Sequence, residues 1–148
     1  MQLIGEPAAA ALLELGTAVT RLVRAHAARA RPAGLTLAEI RALGTVEGAP
    51  GLILKELAAL MGLTPATTSR LAERLVRRGL LTRRAAASDR RRVRFRLSPA
   101  GGRALGAARQ EIVQLLASRL SVVTAADARS LAHLTRLIVP ALRPDAAR

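Results

Sequence analysis

Leu63-Thr64-Pro65-Ala66-Thr67-Thr68-Ser69-Arg70-Leu71-Ala72-Glu73-Arg74-Leu75-Val76-Arg77-Arg78-Gly79 is the stretch on which the reading of this sequence turns. The Thr64 hydroxyl suits the unpaired N–H groups of a helix start, and Pro65 falls where a missing donor costs nothing. Gly79 closes the pattern. The spacing predicts a helix over 65–78, with Leu71 and Leu75 turned inward and Ala66, Thr67, Arg70, Arg74 and Arg77 facing out. Just upstream, residues 54–61 read as a short helix stopped by Gly62, with Leu57, Leu60 and Leu63 also inward. Two short helices joined by a glycine-containing turn make a helix-turn-helix.

Downstream, Leu80-Leu81-Thr82-Arg83-Arg84 fits a strand and residues 85–89 a turn. Arg92-Val93-Arg94-Phe95-Arg96-Leu97 then alternates strictly, with Val93, Phe95 and Leu97 on one face and three arginines on the other. A two-stranded hairpin placed directly after a helix-turn-helix is a wing. Working outward, Thr36 and Glu39 form a capping box that opens a helix to about Val46, and the Gly- and Pro-containing segment 47–51 ends it. Leu12, Leu15, Val19, Leu22, Val23 and His26 recur at the spacing of one helical face across residues 9–30, until Arg31-Pro32-Ala33-Gly34 breaks the helix. Beyond the wing, Ser98-Pro99 starts a long helix with Leu105, Ile112, Leu115, Leu116 and Leu120 on one side. Thr124 and Asp127 form a second capping box before a last helix with Leu131, Leu134, Leu137 and Ile138 inward, ended at Pro140.

The fold class expected is mainly α with a two-stranded β wing. A winged helix-turn-helix domain occupies 35–97, an N-terminal helix lies in 1–34, and two C-terminal helices lie in 98–148. The flanking helices carry apolar stripes that a winged domain of about seventy residues cannot bury alone, so they are expected to form a dimerisation region between two copies of the chain.

Composition agrees. With 51% apolar residues in 148, the chain can bury a core as one domain or one merged unit, and with Phe95 as its only aromatic that core must be aliphatic and largely helical. There are 24 basic residues against 10 acidic ones, giving +14, and all the basic residues except Lys55 are arginines. Such self-repulsion calls for a polyanionic partner or an acidic surface. Ala, Arg, Gly and Leu are also what a GC-rich genome encodes, so position has to decide. From Arg70 to Arg96 there are eleven arginines against Glu73 and Asp89, a net +9 of the total. Guanidinium groups serve both phosphate contacts and two-pronged readout of guanine. Arg74 on the helix and Arg92 on the strand are therefore candidate contacts to double-stranded DNA.

The same residues resemble the MarR family of bacterial regulators over about 35–105. The resemblance rests on Leu57-Ala58 with Gly62, on Leu71 through Leu80 as LAERLVRRGL, and on Ser88-Asp89-Arg90-Arg91 followed by Leu97-Ser98-Pro99-Ala100-Gly101. The last piece is similar to the family's wing signature of Asp, any residue, Arg, five residues and Leu-Thr, with Ser98 in place of Thr. It implies base and phosphate contacts from Thr67, Ser69 and Arg70 on the recognition helix and from Arg90 and Arg91 on the wing. It also implies that Asp89 pairs with a wing arginine to shape the hairpin tip. The family pattern further implies an intertwined homodimer, a repressor's action on an inverted-repeat operator, and small acidic or phenolic effectors.

Other functions fit less well. His26 and His133 lie on apolar helices near opposite ends, with no Cys, GxSxG, HExxH or phosphate-cradling glycine loop, so a catalytic or metal site is not expected and no cofactor is called for. The absence of cysteine also removes disulfides and thiol sensing. RNA binding is disfavoured because stacking aromatics are absent. A winged helix that binds a protein, or coats DNA without sequence preference, would share the fold and the charge. Glu6 sits where a secretory signal would carry bases, and the longest uncharged run, 57–69, is too short to span a bilayer, so a soluble cytoplasmic protein is expected.

Overall fold

The computed structural model describes residues 5–86 and 89–142, with side chains described outside 86–92. The first helix, α1 (Gly5–Ala30), begins four residues ahead of the expected start. It stops because Arg31 and Ala33 adopt left-handed backbone conformations at φ 46° and 50°, Pro32 supplies no N–H, and Gly34 follows at φ 72°. The Ala33 N–H donates to the Glu111 carboxylate at 2.9 Å, which ties this turn to a helix 78 residues later in the chain.

Helix α2 (Leu37–Gly48) opens on the expected capping box: the Glu39 N–H donates to Thr36 Oγ1, and the Thr36 N–H donates to Glu39 Oε2. A strand that periodicity did not predict, β1 (Leu52–Ile53), follows; two residues carry no readable period. Gly51 precedes it at φ 88°, a conformation that favours glycine, and donates its N–H to the Phe95 carbonyl. Helices α3 (Leu54–Met61) and α4 (Pro65–Arg77) form the helix-turn-helix, with left-handed Gly62 between them and Gly79 after. Leu57, Met61, Leu71 and Leu75 are buried, but Leu60 is 53% exposed, which corrects the inward assignment. The buried stripe of α3 is Leu57, Ala58 and Met61, and its centre lies about 100° around the helix from Leu60.

Strands β2 (Leu81–Ala86) and β3 (Asp89–Leu97) pair antiparallel with Leu81 opposite Leu97 and Arg83 opposite Phe95. β1 adds to the other side of β3, giving the sheet order β1-β3-β2. The wing therefore has its two long strands plus a short third. The strands occupy most of the stretch read as a turn at 85–89, whose residues 87 and 88 lie outside the described residues. Phe95 is buried and Leu97 half-buried, while Val93, nearer the tip, is exposed. The core gathers Leu35, Leu43, Val46, Leu57, Leu75, Leu81 and Leu105, each less than 2% exposed, from helices and sheet alike.

Helix α5 (Pro99–Arg119) starts where Ser98 closes the winged domain. The Ser98 hydroxyl donates to the Gly79 carbonyl at 2.6 Å and accepts from the Gly101 N–H at 2.9 Å. Gly101 is packed on the Leu80 carbonyl so closely that a Cβ would overlap it. The chain divides into two compact units after Ile112. In the second, α6 (Ala125–Ala141) opens on the expected Thr124–Asp127 box and runs one residue past Pro140. None of its residues is buried in the single chain: Leu131, Leu134 and Leu137, expected to point inward, are exposed. α1 buries only Ala27.

Candidate nucleic-acid interface

The start of α4 is fixed by three threonine interactions. Thr64 Oγ1 accepts from the Thr67 N–H at 3.2 Å and donates to Thr67 Oγ1 at 2.9 Å, while buried Thr68 donates its hydroxyl to the Thr64 carbonyl. Thr67 and Arg70 are exposed and Ser69 is half-buried, donating to the Glu73 carboxylate at 3.0 Å. Thr67, Arg70 and Arg74 recur at three and four residues, so the helix turns them to one side. Arg77 is exposed as well.

The C-terminal half of α4 is clasped by an acid on α2. Glu39 Oε1 accepts from Arg74 Nε at 3.0 Å and pairs with Arg78 Nη1 at 3.0 Å, and Arg78 Nη2 reaches the Gly34 carbonyl at 3.3 Å. The Glu39 side chain is 1% exposed, whereas Arg74 is 49% exposed. Burial, the largest influence, pushes the Glu39 carboxyl up; the Thr36 backbone N–H, the Arg78 and Arg74 guanidinium groups and the Thr36 hydroxyl together outweigh it and hold the group below its ordinary value of 4.5. The sequence showed Glu39 as a cap only. Its partners lie 35 or more residues away, a distance at which no local spacing signals a pair.

On the wing, Arg83, Arg84, Arg94 and Arg96 are all exposed. None was singled out as a site residue, although each falls in the arginine-rich run. Arg84 stands directly opposite Arg94 across the β2–β3 ladder, and like charges so placed destabilise a sheet. Arg94 is steadied by donating to the Gly51 carbonyl at 2.8 Å. Asp89, Arg90, Arg91 and Arg92 belong to the backbone of β3, but their side chains, and with them the expected Asp89–arginine pair, lie outside the described residues.

A recess of about 350 Å³ sits between the helix-turn-helix and the sheet, lined by Ile53, Leu54, Ser69, Glu73, Arg83 and Phe95 among others. His26 is half-buried and His133 exposed. Among the described residues there is no cluster of three acids and histidines that could hold a metal, and no helix is long and apolar enough to cross a membrane.

The MarR family sequence model matches residues 33–92, from the α1–α2 turn into the wing. Over those residues the chain is similar to the MarR family. The matched MarR segment includes the helix-turn-helix and the Glu39 clasp but stops short of most of β3 and all of α5. No curated protein matches the chain in sequence. Among solved structures, wild-type apo MarR from E. coli is 20% identical, with a TM-score of 0.68 over 95% of this chain and 99% of that one. A MepR mutant from S. aureus bound to an oligodeoxyribonucleotide is 18% identical, with a TM-score of 0.60 over 89% of this chain and 96% of that one. The PcaV transcriptional regulator from Streptomyces coelicolor, in complex with its natural ligand, is 26% identical, with a TM-score of 0.53 over 72% of this chain and 75% of that one. The mainly helical winged fold, small antiparallel sheet included, is thus the fold of MarR, and the family is one of transcription regulators.

Proposed function

We propose that this chain is a MarR family regulator: a sequence-specific, double-stranded DNA-binding protein that acts as a homodimer, represses at an inverted-repeat operator, works in the cytoplasm and catalyses no reaction. The observation that carries the reading is the joint exposure of Thr67, Arg70, Arg74 and Arg77 on α4 and of Arg83, Arg84, Arg94 and Arg96 on the wing. A recognition helix in the major groove with a basic wing on the neighbouring backbone uses these two elements together. The facing Arg84 and Arg94 add weight, since a polyanion offsets the repulsion that the free protein bears. Thr67, Ser69, Arg70 and Arg74 are assigned to the helix contacts, and Arg90, Arg91 and Arg92 to the wing contacts, with Asp89 shaping the tip.

The division into an N-terminal dimerisation helix at 1–34, a DNA-binding domain at 35–97 and C-terminal dimerisation helices at 98–148 is part of the same proposal. Exposed Leu131, Leu134 and Leu137 on α6, and Leu12 and Leu15 on α1, support it, because apolar stripes of that length ordinarily mark an interface. A two-fold pair would set two recognition helices about one DNA turn apart. We assign an acidic or phenolic effector to the recess beside Ser69, where Arg83 and Lys55 supply cations, Glu73 an opposing carboxylate, and Phe95 and Leu54 apolar walls.

Competition binding tests the reading. Duplex from the chain's own upstream region should outcompete random duplex by about a thousandfold or more. Equal competition would leave a DNA-coating protein, and no retention of duplex in dilute buffer would reject DNA binding altogether. Arg70→Ala should shrink the specific-to-random ratio, whereas Arg92→Ala should weaken both about equally; the reverse pattern would refute the two assignments.

A further inference from the structure

We infer that Glu39, a buried acid outside the proposed DNA-contacting set, is a positioning residue for DNA binding that holds the Arg74 guanidinium in place for a phosphate. The inference rests on the proposed function and extends it to a residue on a different helix. Arg74 lies one helical turn beyond Arg70 on the exposed side of α4. Its Nε is taken by Glu39 Oε1 at 3.0 Å, yet about half of the side chain stays in solvent.

The acid is held as firmly as the arginine it holds. Both Glu39 oxygens are engaged, Oε2 with the Thr36 N–H at 2.8 Å and Oε1 with Arg74 and Arg78. Arg78 is in turn bound to the Gly34 carbonyl. Arg74 therefore leaves the face of α4 from a fixed point anchored on α2, and an otherwise flexible side chain is ordered before DNA arrives. A guanidinium so fixed loses less freedom on meeting a phosphate.

Charge and positioning predict opposite signs. Removing a negative charge beside a phosphate contact should strengthen binding on electrostatic grounds alone. Removing the residue that orders Arg74 should weaken it. Phosphate contacts do not depend on sequence, so a mixed-sequence duplex of about 30 base pairs is a sufficient probe.

The experiment is a double-mutant cycle on the full-length chain, with wild type, Glu39→Gln, Arg74→Ala and the double variant titrated with that duplex over a range of salt. Arg74→Ala should lower affinity and reduce the salt slope by about 0.9. Glu39→Gln should lower affinity about two- to tenfold while leaving most of the slope, and should have no further effect once Arg74 is gone. Unfolding midpoints confirm that each variant is folded at the assay temperature. If Glu39→Gln does not fold, Arg74→Lys replaces it: the charge is kept and Nε lost, so affinity should fall with the slope retained. Stronger binding by Glu39→Gln, an equal loss with and without Arg74, or wild-type affinity in Arg74→Lys where that variant is used, would overturn the inference. Failure of the wild type to bind duplex would instead sink the proposed function.

Discussion

Glu39 and Gly101 show how single positions carry this fold. Because the folded Glu39 carboxyl sits below its ordinary value of 4.5, its ionic stabilisation is fully present above that value and is lost as pH falls through the lower, folded one. Urea unfolding followed from neutral pH down to about pH 3 should therefore show a loss of stability, and Glu39→Gln should flatten that acid arm while lowering the neutral plateau. An unchanged acid arm in the variant would show that other carboxylates control it. Gly101 gives a sharper contrast. An Ala in a helix ordinarily stabilises by up to about 1 kcal/mol over Gly, and at Gly102 a Cβ would meet only the Leu97 side chain at 3.8 Å. Gly102→Ala should follow that rule. Gly101→Ala should destabilise by about 2 kcal/mol or more, because the added methyl would overlap a backbone carbonyl in a packed core. Equal unfolding midpoints for the two variants would contradict the packing described.

Among the elements, the wing concentrates charge at the expense of its own stability. Its paired strands place Arg84 against Arg94, and the tip run of Arg90, Arg91 and Arg92 has no apolar side chain to bury. Replacing those three tip arginines with alanine should leave thermal stability within about 0.5 kcal/mol. If all three contact phosphates, the salt slope of DNA binding should fall by about 2.7. Fluorescence anisotropy across a salt series measures that slope; an unchanged value would remove the tip from the interface. The seam between wing and α5 behaves differently. There Ser98 joins Gly79 to Gly101, so its hydroxyl serves as both helix cap and strand-end clamp.

For the molecule as a whole, oligomeric state is the property on which the proposed function most depends. α6 buries no residue within its own chain, and Leu131, Leu134 and Leu137 are exposed along it. Sedimentation should give twice the 15.6 kDa chain mass at micromolar concentration. Introducing Leu134→Glu together with Leu137→Glu should yield monomer and cost most of the DNA affinity, since each half then binds alone. A monomeric wild type would reject the dimer, and a dimeric double variant would move the interface elsewhere.

What local sequence could express, it expressed by itself: helix starts at Thr36, Thr64, Ser98 and Thr124, glycine stops at Gly62 and Gly79, and the alternation of β3. Each follows from contacts made within a turn or a strand, so a few neighbouring residues suffice. Exposure of Thr67, Arg70 and Arg74 was legible for the same reason, being one face of one helix. Tertiary structure alone decided the rest. The third strand at Leu52–Ile53 exists because β3 offers its edge, Leu60 is excluded from the core by how α3 lies on it, and Glu39 meets Arg74 and Arg78 only after α2 and α4 pack. These depend on groups brought together from distant parts of the chain, and short-range periodicity carries no information about such meetings.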